Sequence, residues 1–169
     1  MTETFSFELR SPSKELIGAV RDELFEKGCI KLFDTELEVR MIECYEKQFN
    51  EDHYKIRTAS PIVLRQRCND GSSRYYSPED SEFDELVNLN LYRKFTAAFG
   101  AEPPSTVYLT LTSRPKKVVT SIKNIWVTAY HGSYEIQAHP AVAQFLYETG
   151  LGSRNSQGFG MFDIMEELQ

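Results

Sequence analysis

Apolar and polar positions in the N-terminal part of the chain predict a strand, a helix and further strand structure. Phe5–Leu9 alternates apolar and polar side chains, as a half-buried strand does. Ser13 is suited to cap a helix that ends at Gly28, because serine accepts first-turn N–H bonds and glycine tolerates a left-handed backbone. Between these caps, apolar residues recur at helical spacing: Leu16, Ile17, Val20, Leu24 and Phe25. Cys29–Phe33 and Leu37–Tyr45 then indicate either a strand pair or one bent strand.

The middle of the chain has the pattern of a hairpin followed by a long helix. Lys55–Arg67 indicates a strand that its proline interrupts, and Asn69–Ser73 is typical of a hairpin turn. Tyr75 and Tyr76 would lie on the returning strand. A second helix is predicted to begin at Ser77–Asp80, where acidic residues suit the helix dipole. Its apolar stripe, which ends at Gly100, comprises Phe83, Leu86, Val87, Leu91, Phe95, Ala98 and Phe99.

The C-terminal part returns mainly to strand patterns. Val107–Leu111, Val118–Val127 and Tyr134–Ala138 are predicted strands, Ala141–Thr149 is a short helix, and Phe159–Ile164 is a terminal strand. Strands that are interrupted by helices in this order favour an α+β fold with antiparallel sheets. Ferredoxin-like β-α-β-β-α-β units are the expected architecture.

Composition bounds the class of protein. The chain has 169 residues, 41% of them apolar, which suits one large or two small folded domains. No apolar run approaches the ~20 residues of a membrane helix, and the N-terminus does not resemble a secretory signal, so a cytoplasmic protein is expected. Three cysteines at long spacings, Cys29, Cys44 and Cys68, predict neither a disulfide framework nor a zinc knuckle. No metal and no cofactor are expected.

The charge is distributed unevenly along the chain. The net charge of −6 combines −6 for residues 1–54, +4 for residues 55–123 and −4 for residues 124–169. A basic region can bind an anionic polymer although the whole chain is acidic, but it can also be an ordinary solvated surface. The clustered cations are Lys55, Arg57, Arg65, Arg67, Arg74, Arg114, Lys116, Lys117 and Lys123.

A glycine-rich stretch follows the last predicted helix. Its four glycines, Gly150, Gly152, Gly158 and Gly160, allow close approach of the backbone to a phosphate or to another strand. The donors between them are Ser153, Arg154, Asn155, Ser156 and Gln157. The order helix, loop, strand excludes a dinucleotide-binding fingerprint, and the absence of G-K-[ST] excludes a P-loop. Phosphate binding and a tight structural crossover both remain open.

The glycine-rich stretch and several upstream motifs resemble the CRISPR-associated endoribonucleases that cut precursor CRISPR RNA, members of the RAMP superfamily. The upstream motifs follow in order: TASPIVLR at 58–65, YYSPEDSEF at 75–83, NLYRKF at 90–95 and GSYEIQAHP at 132–140. The resemblance implies tandem ferredoxin-like domains that bind CRISPR repeat RNA. It also implies metal-independent cleavage, in which a histidine base promotes attack of a 2′-hydroxyl on the adjacent phosphate.

The resemblance aligns Phe5–Leu9 with the third strand of the family's first domain. A partial unit over residues 1–54 and a complete domain over residues 55–169 are therefore expected, without the segment that holds the family's catalytic histidine. None of His53, His131 and His139 matches that position, so no catalytic residue is assigned and cleavage by this chain stays open. An incomplete sheet should be covered by a second copy of the chain, by a separately encoded N-terminal fragment or by rearranged strands of the same chain.

The expected RNA-binding surface combines the loop with nearby cations. Tyr75, Tyr76, Tyr130 and Tyr134 could stack on bases or pack across strands, whereas Trp126 is expected in the core. The alternative function is a protein-interaction subunit of a CRISPR effector complex without its own RNA activity. The candidate RNA-binding residues are Gly150, Gly152, Ser153, Arg154, Asn155, Ser156, Gln157, Gly158, Gly160, Lys116, Lys117, Lys123, Arg65 and Arg67.

Overall fold

The computed structural model describes residues 4–168. The first three residues, which are part of the N-terminus that does not resemble a secretory signal, lie outside the described residues. The chain divides into two compact units, one that ends at Lys47 and one that begins at Gln48. The predicted domain ranges, 1–54 and 55–169, stay predictions. No helix in residues 4–168 is both long enough and apolar enough to cross a membrane.

The first unit contains helix α1 (Lys14–Lys27) and an antiparallel hairpin of β1 (Cys29–Leu32) and β2 (Thr35–Glu38). Both predicted helix caps are confirmed. The Ser13 side chain accepts a bond from the Leu16 N–H, and Gly28 is left-handed, with its N–H bonded to the Leu24 carbonyl oxygen. The strand pair is also confirmed, although the second strand ends at Glu38 and does not extend to Tyr45.

Side chains in the first unit are poorly buried. Helix α1 has no buried residue, and the exposed fractions of Phe25 and Phe33 are 82% and 96%. The strand predicted at Phe5–Leu9 is wrong, because residues 4–10 have no paired strand and Phe5, Phe7 and Leu9 are all at least half exposed. The alternating pattern there is present without the sheet that would bury it.

The second unit is built on one four-stranded antiparallel sheet. Its strands are ordered β10 (Phe162–Leu168), β3 (His53–Thr58), β9 (Ser133–Gln137) and β6 (Tyr108–Leu111). Helices α2 (Phe83–Phe99) and α3 (Pro140–Thr149) connect them in the order of a ferredoxin-like β-α-β-β-α-β unit. The predicted α+β fold class is therefore confirmed. The elements of this unit are β3 (His53–Thr58), β4 (Arg65–Arg67), β5 (Ser73–Tyr75), α2 (Phe83–Phe99), β6 (Tyr108–Leu111), β7 (Lys116–Ile122), β8 (Ile125–His131), β9 (Ser133–Gln137), α3 (Pro140–Thr149) and β10 (Phe162–Leu168).

The core of the second unit lies between the two helices and one face of the sheet. Alternate residues of β3, among them Tyr54 and Ile56, are fully buried and pack with the apolar residues of α2 and α3. Helix α2 ends at Gly100 as predicted but begins at Phe83. The predicted start at Ser77–Asp80 is wrong because these residues form a separate turn, in which the Asp80 carboxylate accepts from the Ser77 N–H.

Two hairpins are inserted into the ferredoxin-like unit. Strands β4 and β5 form one between β3 and α2, and β7 and β8 form the other between β6 and β9. The single strand predicted over Val118–Val127 is wrong. Lys123 and Asn124 both have positive φ, 49° and 63°, and these two residues reverse the chain between β7 and β8. Such two-residue turns match the twist of the strands they join.

Candidate functional site

The glycine-rich loop, residues 150–160, is anchored along the segment Pro61–Leu64. The Ser153 N–H donates to the Val63 carbonyl oxygen at 2.9 Å, and the Gly160 N–H donates to the Pro61 carbonyl oxygen at 3.0 Å. Because Phe159 and Gly160 belong to this loop, the terminal strand begins at Phe162 rather than at the predicted Phe159. The loop therefore has a fixed backbone on the side that faces the protein.

Three of the four loop glycines have a steric reason to be glycine. A Cβ atom would lie 2.0 Å from the Leu151 carbonyl oxygen at Gly160, and 2.5 Å from the Val63 carbonyl oxygen at Gly152. At Gly150, a Cβ atom would lie 2.6 Å from Nδ2 of Asn155. A tight structural crossover therefore accounts for glycine at these three positions, and phosphate binding by them remains a prediction.

The tip of the loop, Arg154–Gly158, is the part that can contact a ligand. The backbone N–H groups of Arg154, Asn155 and Ser156 have no acceptor among the described residues. The Arg154 guanidinium donates through Nη1 to the Gln157 side chain at 2.8 Å, and its buried Nε has no partner in the described part of the chain. Backbone donors and one guanidinium together are groups that bind phosphate.

Asn155 holds the loop together from within. Its Nδ2 donates to the carbonyl oxygens of Leu151 and Phe159, both at 3.0 Å. The Ser153 hydroxyl likewise donates to the Val63 carbonyl oxygen at 3.0 Å. Both side chains are among the predicted RNA-binding residues, and these bonds join them to the protein's own backbone.

Strand β8 lies on the other side of the segment Pro61–Leu64. Ile62 and Tyr130 exchange two backbone hydrogen bonds, at 2.8 and 2.9 Å. Beneath them is a small separate core of Val63, Val127, Ala129 and Phe159. The β7–β8 hairpin, the segment Pro61–Leu64 and the loop are thus joined side by side, and we refer to them as the hairpin–loop surface.

The predicted cations lie at different places on and beside this surface. Lys116 and Lys117 start β7, and Lys123 is in the turn at the far tip of the hairpin. All three are exposed and have no ion-pair partner within residues 4–168. Arg65 and Arg67 lie on the exposed strand β4, in the neighbouring hairpin, where Arg65 donates to the Ser73 hydroxyl at 3.3 Å.

The aromatic residues divide between core and surface. Trp126 is 69% exposed, so its predicted core position is wrong. Its neighbour Val127 is fully buried, and since side chains alternate along a strand, Trp126 shares the outer face of the hairpin with Tyr130 and Lys117. Among the tyrosines considered for stacking, Tyr76 and Tyr134 are buried. Trp126 is therefore a stronger candidate than these two tyrosines for stacking on a base. The only sequence signal for its exposure is that it precedes Val127 in an alternating strand pattern.

A lysine beneath the loop was also not singled out by its sequence. Nζ of Lys94, on α2, donates to the Gly150 carbonyl oxygen, and burial lowers the pKa of Lys94 to about 8. The sequence offers one signal for this burial: Lys94 lies three residues beyond the buried Leu91, on the apolar side of the helix.

The three histidines lie on separate elements. His131 has Nδ1 3.0 Å from the Thr58 hydroxyl, whereas Nδ1 of His139 accepts from the Ala141 N–H and caps α3. Nε2 of His53 lies 3.7 Å from the Glu135 carboxylate. The described residues contain no group of three or more His, Cys, Asp and Glu side chains arranged to hold a metal ion.

Comparison with known proteins relates most of the chain to one protein family. The family model described as "CRISPR associated protein Cas6, C-terminal" matches residues 44–164. The CRISPR-associated endoribonuclease Cas6 of Pyrococcus furiosus is 29% identical over 154 residues, which cover 89% of this chain and 56% of that protein. The CRISPR-associated endoribonuclease Cas6 1 of Methanocaldococcus jannaschii is 30% identical over 166 residues, which cover 94% and 63%.

The fold has a close counterpart among solved structures. A Cas6-related protein from Pyrococcus furiosus superimposes with a TM-score of 0.82 at 22% sequence identity, over 94% of this chain and 67% of that chain. This likeness shows the fold alone. The chain spans less than two thirds of the length of the two Cas6 endoribonucleases named above.

Proposed function

The chain belongs to the Cas6 family of CRISPR-associated proteins, and on this basis we propose that it binds CRISPR repeat RNA during the maturation of CRISPR RNA in antiviral defence. The observation that carries the proposal is the hairpin–loop surface. It contains the donors of the loop tip on one side of the segment Pro61–Leu64 and, on the other side, the hairpin with Lys116 and Lys117, which have no acidic partner in the described chain. This combination suits a polyanion with accessible phosphates.

The binding test measures affinity for repeat RNA as a function of salt. We expect Arg154→Ala and Lys117→Ala to weaken binding and each to reduce the salt slope, by ~0.7 for a single-stranded contact. Lys31→Ala removes an equal exposed charge from a residue that is not part of the hairpin–loop surface, and it is the matched control. Unchanged affinity of both surface variants at moderate salt would contradict the proposed surface.

Cleavage is a second candidate function, and one contact favours it. The Thr58 hydroxyl beside Nδ1 of His131 orients the imidazole, and Nε2 has no partner within the described residues. A fixed imidazole is a suitable general base for attack by a 2′-hydroxyl. Incubation of repeat RNA with the protein in EDTA tests this. A 2′,3′-cyclic phosphate product that His131→Ala abolishes supports cleavage, and intact bound RNA supports binding alone.

We also propose that the first unit functions in contact with further polypeptide. Its helix buries no residue and its aromatic side chains Phe25 and Phe33 are exposed, which is unfavourable for an isolated domain. A second copy and a separately encoded N-terminal fragment are the two sources we propose. Light scattering after size exclusion tests the first, and a monomer at all concentrations would exclude it. Co-purification with CRISPR effector subunits without any RNA binding would favour the interaction-subunit alternative.

A further inference from the structure

A network of hydrogen bonds connects helix α2 to the glycine-rich loop. Nζ of Lys94 donates to the Gly150 carbonyl oxygen at 2.5 Å and to Oδ1 of Asn155 at 3.2 Å. Through its Nδ2, Asn155 holds the carbonyl groups of Leu151 and Phe159. The ammonium group of Lys94 therefore fixes the residue that joins the beginning of the loop to its end.

The partners of Lys94 are neutral, although its own group is an ammonium ion. The carboxylate of Glu148, on the adjoining helix α3, is engaged by Gln144 at 2.6 Å, and Arg154 of the loop donates to Gln157. Arg93, next to Lys94 on α2, is exposed. Burial is the cause that lowers the pKa of Lys94 to about 8, with no charged side chain contributing.

A positive charge in this place lowers the stability of the fold, and a function of the charge would explain why it is present. Desolvating an ammonium group costs free energy that two neutral oxygens repay only in part. A neutral side-chain amide could donate to the same oxygens without that cost. The position of a full charge directly behind a loop whose tip presents unpaired N–H groups therefore points to an anion on the other side.

We propose that Lys94 is the positioning residue of the glycine-rich loop, which it holds in the conformation that binds an RNA phosphate while its charge attracts that phosphate from behind. The inference rests on the proposed function and identifies a residue of the same site. Because the charge is shielded from solvent, salt screens it less than it screens the exposed lysines of the hairpin.

The experiment compares wild type with Lys94→Met, which lacks both donor and charge, and Lys94→Gln, which keeps a donor. Arg93→Met is the matched control, since it removes a neighbouring exposed charge. Affinity for repeat RNA is measured between pH 7 and 9.5, and hydrogen exchange is measured at the amides of Ser153 and Gly160, whose bonds anchor the loop.

We expect wild-type affinity to fall about threefold or more as the pH passes 8, because Lys94 then loses its proton. Lys94→Met should bind about tenfold more weakly at pH 7, lose protection of the loop amides and lack the pH response. Lys94→Gln should keep the protection but also lack the pH response, which a merely structural role does not predict. Arg93→Met should behave as wild type.

The outcomes separate this inference from the proposed function. Absence of RNA binding by the wild type would overturn the proposed function. Binding by wild type that both Lys94 variants retain, with the same pH profile, would overturn the role of Lys94 alone. If Lys94→Met fails to fold, as judged by circular dichroism, the profile of Lys94→Gln against wild type decides the question.

Discussion

The glycine-rich loop and the β7–β8 hairpin flank the same segment, Pro61–Leu64, but they are built on different principles. The loop has its shape fixed by close backbone approach at Gly152 and Gly160, where any Cβ atom would overlap a carbonyl oxygen. The hairpin projects exposed cations that have no acidic partner in residues 4–168. Binding of RNA by the loop should therefore depend on the loop's geometry, whereas binding of RNA by the hairpin should depend on charge and on the salt concentration.

The largest effect is expected from Gly160→Ala. A Cβ atom 2.0 Å from the Leu151 carbonyl oxygen, at φ +80°, forces the loop away from its anchor. We expect the free energy of unfolding in urea to fall by about 3 kcal/mol or more, and RNA affinity to fall at least about tenfold under folding conditions.

Gly158→Ala is the control for this prediction. Gly158 also has a positive φ, +84°, but a Cβ atom there would meet no neighbour within 4 Å. Only the backbone cost of roughly 1–2 kcal/mol is expected. Equal effects of the two substitutions would show that steric anchoring does not distinguish the loop.

The next effect is a pH dependence that belongs to the loop and not to the hairpin. Between pH 8 and the ordinary Lys pKa of 10.5, the unfolded chain retains a proton that folded Lys94 has released. The free energy of unfolding therefore rises with pH in this range. Relative to Lys94→Met, wild type should gain about 2.5 kcal/mol between pH 7 and 10. Urea unfolding at both values measures this, and parallel changes in both proteins would contradict it.

Salt should act mainly on the hairpin. The combined replacement of Lys116, Lys117 and Lys123 by alanine should reduce the slope of log affinity against log salt by about 2, if each lysine neutralises one phosphate. Stability should change little because all three side chains are exposed. Gly158→Ala, which alters no charge, should leave the slope as in wild type. A slope that the lysine variant leaves unchanged would remove the hairpin from the interface.

An effect on binding alone, without a change in stability, is expected from Trp126. Replacement by alanine should weaken binding of single-stranded repeat RNA by roughly 1–2 kcal/mol through lost stacking, without change in the salt slope. Val127→Ala, at the adjacent buried position, should instead lower stability. If Trp126→Ala destabilises the fold and leaves RNA affinity intact, the exposed ring packs against protein in solution.

Local signals in the sequence sufficed for most of the helices and for the fold class. Ser13, Gly28 and Gly100 have the caps that their residue types predict, because capping is decided by the nearest few residues. The turn at Lys123 and Asn124 was missed since neither residue is glycine, the usual signal of a two-residue hairpin turn.

The candidate site was predictable in its location but not in its internal roles. The glycine spacing indicated a close approach, whereas the identity of the neighbour, Val63 or Leu151, depends on tertiary packing. Lys94 was not predicted because charged residues in a helix usually face water, and its burial follows from contacts with a loop more than fifty residues away in the chain. The segment Phe5–Leu9 shows the converse, an alternating pattern that pairs with no strand in the described part of the chain.

The segment Pro61–Leu64 bonds on one edge to β8 and on the other to the loop, while Val63 and Phe159 pack in the same small core. Neither flank can open without breaking bonds that also stabilise the segment between them. Hydrogen exchange should therefore report one cooperative opening unit, with the amides of Tyr130 and Ser153 exchanging at a common free energy. RNA that engages only the hairpin would then slow exchange in the loop as well.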